Sequence, residues 1–373
     1  MQFQKGFPRE LLNQPIADRV AYFQSYTMPH PKLKDAAQQL MLSIHQPAGA
    51  SLIFVFGPTG VGKSTLLRKV RKELIEAALP RMEIDKGYIP VAGIEAIAPE
   101  FSNFDWKDFY VRGLMALNEP MIDKKINRTN SKLKLRLALE SALSNRKPDA
   151  FFVDEAQNLG KVVSGRKLRD QTDCIKSLAN IAQTRFVLCG TYELLMLRNL
   201  SAQLCRRSTD IHLPRYYAES TQDRETFQGI VQTLQFYLPL PETPDLLGLW
   251  EFCYERSIGC VGILKDWLSR TLNAVLEKDP NAATLTAEDL EHHAWSMEQC
   301  MIMLSEAKEE EQKLTPRAEI RNELRASLGL DLLASSKAES PTEQKKSRTK
   351  KTQDIGKPLP QRRPVGKNQY ANP

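Results

Sequence analysis

Short apolar runs alternate with amphipathic stretches over the first 215 residues of the chain. The runs SLIFVF (51–56), DAFFVD (149–154) and RFVLCG (185–190) are rich in β-forming residues, and such continuous runs are typical of buried parallel strands. Stretches such as HPKLKDAAQQLMLSIHQ (30–46) place apolar residues at helical spacing. The alternation predicts a wound α/β sheet, with further strands in GYIPVAGIEA and DIHLPRY.

Helical patterns define the rest of the chain. The stretch KSTLLRKVRKELIEAAL (63–79) predicts a helix that ends at Pro80, because a proline in a helix interior removes a backbone hydrogen bond. After about Arg215 the pattern is helical only, with a last long helix predicted over 286–314. The sequence therefore predicts four parts: an N-terminal extension with a helix (1–48), an α/β domain (49–215), a helical lid domain with a C-terminal helix (216–334) and a disordered basic tail (335–373).

The net charge of +7 is concentrated in the tail, where ten basic and three acidic residues follow Ser335. The body is close to neutral, so binding of nucleic acid would need a local basic patch. No apolar run approaches the roughly 18 residues of a membrane span. The N-terminal MQFQKGFPRELLNQ lacks the apolar block of a signal peptide. We therefore expect a cytoplasmic protein without a membrane partner.

The segment that follows the first strand has the pattern of a phosphate-binding loop. Glycines let backbone N–H groups turn toward phosphates, a lysine supplies charge for the β- and γ-phosphates, and a hydroxyl reaches Mg²⁺. The expected nucleotide and metal contacts are Gly57, Pro58, Thr59, Gly60, Val61, Gly62, Lys63, Ser64 and Thr65. A strand before this loop and a helix after it are the context that such a loop requires.

Acidic residues end the strand of DAFFVDEAQ. Asp154 is predicted to hold Mg²⁺ together with Ser64, and Glu155 to orient and deprotonate the attacking water. Thr191, at the end of the strand of RFVLCGT, is predicted to contact that water or the γ-phosphate, because ligands of wound sheets lie beyond the carboxyl ends of the strands. An ordinary strand-ending threonine remains an alternative for Thr191.

Three basic residues are further candidates. Arg206 and Arg207 stand between a helix and a strand, where one of them could reach a γ-phosphate of a neighbouring subunit; Arg207 is preferred. Lys265, in the helical region, could close over the nucleotide. The chain has no Asn-Lys-x-Asp segment for reading guanine, which favours ATP over GTP.

These residues resemble those of an AAA+ ATPase and, more narrowly, of the TnsC/TniB family of transposition regulators. The narrower likeness lies in the segments MPHPKLKDAAQQL, DEAQNL, CGTYEL and QLCRRSTDIHLPRY. The resemblance covers roughly residues 20 to 300. It implies a five-stranded parallel sheet with helices on both faces, followed by an all-α lid. Lys265 differs from the family pattern, which often has arginine at this position of the lid.

The resemblance also implies ATP-dependent assembly of a ring or helical filament around duplex DNA. Such a homo-oligomer links a TniQ-type target selector or a CRISPR effector to a DDE transposase, and ATP hydrolysis drives its disassembly. A helicase loader or replication-initiation ATPase is the alternative, because it shares the core. A scaffold that binds ATP without hydrolysing it is a third, which Glu155 argues against.

The candidate DNA contacts lie in DKKINRTNSKLKLRL (123–137), where basic residues and small donors occur without an acid after Asp123. Such a mixture suits phosphate contacts that do not read sequence. The predicted contacts are Lys124, Lys125, Arg128, Thr129, Lys132 and Lys134. The basic tail would bind DNA as well or an acidic protein surface, and the sequence leaves both open.

Overall fold

The computed structural model describes residues 6–46, 49–99, 104–120, 131–161, 165–200, 202–314 and 318–330. The chain divides into two units, Met1–Leu314 and Thr315–Pro373. The described part of the second unit contains the helix Ala318–Ser327, and the tail predicted over 335–373 lies outside the described residues. Across the described ranges, no helix combines the length and the apolar character of a membrane span.

Within the described residues, five parallel strands form one sheet, as the sequence predicts. The strands are β1 (Leu52–Phe56), β2 (Val91–Glu95), β3 (Ala150–Asp154), β4 (Arg185–Gly190) and β5 (Ser208–His212). Their order across the sheet is β2-β3-β4-β1-β5. The carboxyl ends of β3, β4 and β1 are therefore side by side, and the loops that follow these strands meet at one edge of the sheet.

Helices cover both faces of the sheet. They are α1 (Ile16–Ser25), α2 (Pro31–His45), α3 (Lys63–Ile84), α4 (Trp106–Ala116), α5 (Lys132–Arg146), α6 (Gly165–Ala182), α7 (Leu194–Arg198) and α8 (Ala202–Arg206). Alternate residues of β1 point to opposite faces. Ile53 and Val55 share a core with α2 and α3, and Phe54 shares a core with α4, α5 and α6. The predicted two-sided sheet is confirmed.

Within the described residues, only helices follow β5, as predicted. They are α9 (Thr221–Tyr237), α10 (Trp250–Ser257), α11 (Val261–Lys278), α12 (Ala287–His293) and α13 (Met297–Leu314). The core of this bundle surrounds the fully buried Trp267 and includes Val20 and Phe23 of α1. Helix α1 was not predicted from the sequence, and it packs with the lid helices although it precedes the sheet in the chain.

Two helix boundaries differ from the prediction. Helix α3 continues past Pro80, which lies on an exposed face where water can hydrate the carbonyl of Glu76. The helix predicted over 286–314 is two helices, α12 and α13, because Ser296 starts a new one. The Ser296 hydroxyl accepts from the Gln299 N–H at 3.2 Å, and Gln299 Oε1 accepts from the Ser296 N–H at 3.0 Å.

Candidate nucleotide site

Glycines fold the loop between β1 and α3 into a cradle. Gly60 and Gly62 have φ angles of 72° and 109°, which glycine adopts without strain. Gly57 is needed for another reason, since a Cβ atom there would lie 2.2 Å from the carbonyl oxygen of Leu213. Helix α3 begins at Lys63 directly after the loop, so the free N–H groups of its amino end point into the cradle.

The ammonium group of Lys63 lies inside the cradle. Its Nζ donates to the carbonyl oxygens of Gly57 at 3.0 Å and Pro58 at 2.8 Å. Burial lowers the pKa of Lys63, while the carboxylates of Glu155 and Asp154 oppose that shift. The loop thus holds a lysine charge at the place where the helix end and the backbone N–H groups converge, which fits the binding of a phosphate.

The other cradle residues have separate surroundings. Val61 is buried beneath the loop, and Thr65 Oγ1 accepts from Arg68 at 3.1 Å. Pro58 and Thr59 line a cavity at the tip of the loop. The remaining lining of that cavity comes from the segment after β4, from the lid and from α13, and includes Thr191, Tyr192, Glu193, Ile258, Glu306 and Glu310.

A hydroxyl and a carboxylate meet beside the cradle. Ser64 Oγ donates to Asp154 Oδ2 at 3.2 Å, and Asp154 Oδ1 accepts from the backbone N–H of Glu155 at 2.9 Å. Among the described residues, no group of three or more His, Cys, Asp or Glu side chains could hold a metal. One carboxylate and one hydroxyl fit Mg²⁺, which commonly binds through few protein oxygens together with nucleotide phosphates.

Glu155 and Thr191 lie at the ends of neighbouring strands and are joined by Gln157. Gln157 Nε2 donates to Glu155 Oε2 at 2.5 Å, and Gln157 Oε1 accepts from the backbone N–H of Thr191 at 3.3 Å. Thr191 Oγ1 is buried and has no hydrogen-bond partner among the described residues. Buried hydroxyls are normally satisfied, so an unpartnered one at this edge of the sheet fits a residue that contacts a ligand.

The first turn of α11 packs directly on the cradle. The backbone N–H of Ile263 donates to the carbonyl of Gly60 at 3.2 Å. A Cβ atom on Gly262 would lie 2.3 Å from that carbonyl oxygen. Lys265 follows in the same helix, but its Nζ donates to the carbonyl of Gln24 at 2.6 Å. The structure therefore places Lys265 at the contact between α11 and α1, and its role toward the nucleotide stays a prediction.

Arg206 and Arg207 are exposed at the amino end of β5. The carbonyl of Arg207 accepts from the N–H of Ser51, which precedes β1. The cradle begins at the opposite end of β1, about 16 Å away for a five-residue strand. The structure does not bring either arginine to the cradle of its own chain, and the prediction of a contact in a neighbouring subunit is untested.

The predicted DNA contacts are only partly described. Lys124, Lys125, Arg128 and Thr129 lie outside the described residues. Lys132 and Lys134 are exposed in the first turn of α5. Arg136, from the same basic segment, donates to Glu140 at 2.8 Å and to Ser177 at 2.9 Å. The guanidinium group of Arg136 is therefore bound within the fold, where it links α5 to α6.

Sequence reasoning missed Gln157 and Gly262. Gln157 stands two residues after Glu155 in DEAQ, and this proximity to a predicted base was the available signal. Gly262 falls inside the segment GCVGILKDW, where a helix pattern gives no reason for a second glycine. Only the packing of α11 on the cradle shows why a side chain cannot be accommodated there.

Comparisons with known proteins agree with this geometry. Residues 45–197 match the family model described as an AAA domain. The fold is similar to the Aeropyrum pernix ORC2 protein in its ADP form, with 15% identity, a TM-score of 0.50, and coverage of 73% of this chain and 71% of that chain. This chain has the fold of an AAA+ P-loop NTPase.

A second AAA+ structure is similar to the same extent. It is the Aeropyrum pernix ORC1 protein in complex with DNA, with 16% identity, a TM-score of 0.50, and coverage of 79% of this chain and 70% of that chain. No curated protein matches the sequence. These likenesses show the AAA+ fold, and the narrower resemblance to TnsC/TniB rests on the sequence segments alone.

Proposed function

We propose that this AAA+ protein is a Mg²⁺-dependent ATPase that assembles on duplex DNA in its ATP-bound state and disassembles on hydrolysis. We further propose that it acts as a transposition regulator, linking a TniQ-type target selector or a CRISPR effector to a DDE transposase. The observation that carries the ATPase proposal is the meeting of five groups at one edge of the sheet: Lys63, Ser64, Asp154, Glu155 and Thr191.

Each group has a task in hydrolysis. Lys63 and the loop N–H groups bind the phosphates, and Ser64 and Asp154 hold Mg²⁺. Glu155 takes a proton from the attacking water, whose oxygen bonds to the γ-phosphorus as the bond to the β,γ-bridging oxygen breaks. Thr191 orients this water. The products are ADP and inorganic phosphate.

Assembly is proposed because, among the described residues, Lys63 is the one predicted cationic contact of the γ-phosphate that lies at the cradle of its own chain. Lys265 is engaged with α1, and both Arg206 and Arg207 lie at the far end of β5. An arginine delivered by a second copy would raise the hydrolysis rate greatly. The cavity beside Thr191 carries Glu193 and Glu306 at its rim, which suits the approach of such a cation.

The first test measures assembly. Wild-type protein, duplex DNA, Mg²⁺ and a nonhydrolysable ATP analogue should give rings or filaments in electron micrographs at low salt, and Lys63→Ala should give none. Glu155→Gln should form assemblies that persist in ATP, because hydrolysis no longer releases them. Lys72→Ala, an exposed lysine change on α3, is the matched control and should behave as wild type. Monomers under all these conditions would contradict the proposal.

The second test measures DNA contact. Changing both Lys132 and Lys134 to alanine should lower the slope of log affinity against log salt by about 2, since each phosphate contact contributes about 0.9. Affinity should fall to the same degree for duplexes of different sequence, because phosphate contacts carry no base information. An unchanged slope would remove the first turn of α5 from the proposed DNA interface.

The second candidate function is a helicase loader or replication-initiation ATPase. The fold is shared with origin-recognition proteins, so the fold does not separate the two candidates. Capture of partners by the assembled Glu155→Gln protein separates them. Retention of a DDE transposase favours the first candidate, and retention of a replicative helicase favours the second.

A further inference from the structure

The buried amide of Gln157 links Glu155 and Thr191, the two residues to which the proposed function assigns the attacking water. It contacts a carboxylate oxygen of Glu155 on one side and the backbone N–H of Thr191 on the other, at 2.5 Å and 3.3 Å. Its orientation is fixed, because the Thr191 N–H can only donate and so must face Oε1. Nε2 then faces Glu155, where a carboxylate can only accept. With 6% of its surface exposed, Gln157 has little freedom to turn elsewhere.

The backbone around this amide is built to hold it. Glu155 has a left-handed φ of 50° and caps the 3-10 turn Ala156–Gly160, which carries Gln157 back toward β4. The next side chain fixes the same turn to the residue that follows β2, since Asn158 Nδ2 donates to the carbonyl of Ala96 at 2.8 Å. A left-handed non-glycine residue costs free energy that the surrounding contacts must offset.

Gly190 makes room for the amide from the opposite side. A Cβ atom on Gly190, the last residue of β4, would lie 2.1 Å from Gln157 Oε1. No side chain can therefore stand at Gly190 while Gln157 keeps its contact with Thr191. The φ angle of Gly190 is not in the left-handed region, so space for the amide, and not backbone freedom, is what requires a glycine here.

We propose that Gln157 is a positioning residue for hydrolysis. Its amide fixes the carboxylate of Glu155 relative to Thr191, so that the base and the residue at the end of β4 keep fixed positions relative to each other. Gln157 holds one carboxylate oxygen of Glu155 and leaves the other to accept the proton of the attacking water. Loss of the amide lets the Glu155 side chain rotate away. This inference rests on the proposed ATPase activity, and it assigns to Gln157 a role that the cradle and the acids do not require.

The first test is a double-mutant cycle on steady-state ATP hydrolysis. Gln157→Ala should lower kcat 10- to 100-fold with nucleotide affinity changed less than 3-fold, because a misplaced base affects the chemical step and not phosphate binding. Gly190→Ala should lower kcat similarly, since its Cβ displaces the amide. In the Gln157→Ala background the amide is already gone, so Gly190→Ala should add less than a 3-fold loss. Fully multiplicative losses would overturn the proposal.

The second test distinguishes positioning from a structural role. Gln157→Glu keeps the side-chain size and can still accept from the Thr191 N–H, but it replaces the amide that donates to Glu155 with an oxygen. It should therefore lower kcat as much as Gln157→Ala does, with nucleotide affinity changed less than 3-fold. A Gln157→Glu protein with the wild-type kcat would contradict the proposal.

Asn158→Ala is the matched control, because it removes a neighbouring buried amide that donates to the carbonyl of Ala96 and not to Glu155 or Thr191. It should lower the unfolding temperature without lowering kcat. Thermal unfolding and binding of a fluorescent ATP analogue show which variants are folded. If wild type and Glu155→Gln hydrolyse ATP equally, the proposed function fails; if they differ and the Gln157 variants match wild type, only this inference fails.

Discussion

Thr191→Val should lower activity and leave the stability of the protein nearly unchanged. The hydroxyl of Thr191 makes no hydrogen bond to another group of the described residues, so its removal takes no such bond from the fold. Valine has nearly the same shape as threonine. The substitution is therefore expected to leave the fold intact.

The two magnitudes follow from the energies of hydrogen bonds. Because Thr191→Val removes no hydrogen bond to another described group of the protein, it should change the free energy of unfolding by less than about 1 kcal/mol, the typical contribution of one such bond. A hydrogen bond to a charged group is worth about 1.5–3 kcal/mol. Losing one that forms in the transition state should lower kcat by about 10- to 150-fold.

The assay pairs urea unfolding without nucleotide with steady-state phosphate release. Thr271→Val is the control, because the Thr271 hydroxyl is fully buried in the lid and donates to the carbonyl of Trp267 at 3.0 Å. That variant should lose stability and keep its hydrolysis rate. A Thr191→Val protein that loses as much stability as Thr271→Val, or that hydrolyses ATP at the wild-type rate, would refute the reasoning.

Two further predictions concern the lid and pH. Gly262→Ala should move α11 about 1 Å away from the cradle and break the hydrogen bond from Ile263 N–H to the Gly60 carbonyl, which lowers the free energy of unfolding by about 1–3 kcal/mol. Binding of an ATP analogue should weaken as well. Gly229→Ala is the control and should be neutral or stabilising, because a Cβ atom there meets nothing within 4 Å. Burial, with smaller effects from the charges of Lys32 and Lys69, lowers the pKa of His30 to about 4. Between pH 6.5 and pH 4 this histidine is therefore protonated in the unfolded chain and neutral in the folded protein. His30 should therefore lower the free energy of unfolding by about 2 kcal/mol as the pH falls from 7 to 5. His30→Asn should remove this part of the pH dependence measured in urea titrations. Equal pH dependence in both proteins would contradict the prediction.

Much of the fold was predictable because it depends on local pattern. The runs around Phe54, Phe152 and Val187 are apolar on both faces, which only a strand covered on both sides can satisfy. The cradle was predictable for a similar reason, since its glycines and Lys63 act within eight consecutive residues. The end of α3 was not predictable in this way. The hydrogen bond that Pro80 removes ends a helix only where water cannot hydrate the freed carbonyl, and the exposure of Pro80 depends on what packs beside the helix.

The sequence by itself determined the chemical groups of the site and the strands that carry them, since each lies within a few residues of the segment that positions it. The tertiary structure alone decided which groups touch. Gln157 meets Thr191, 34 residues later in the chain, and Gly60 meets Gly262 of the lid. Such contacts depend on strand order and on how the lid packs, and neither is encoded in the spacing of residues along one segment. For this reason the coupling of Glu155 to Thr191 could be read only from the folded chain.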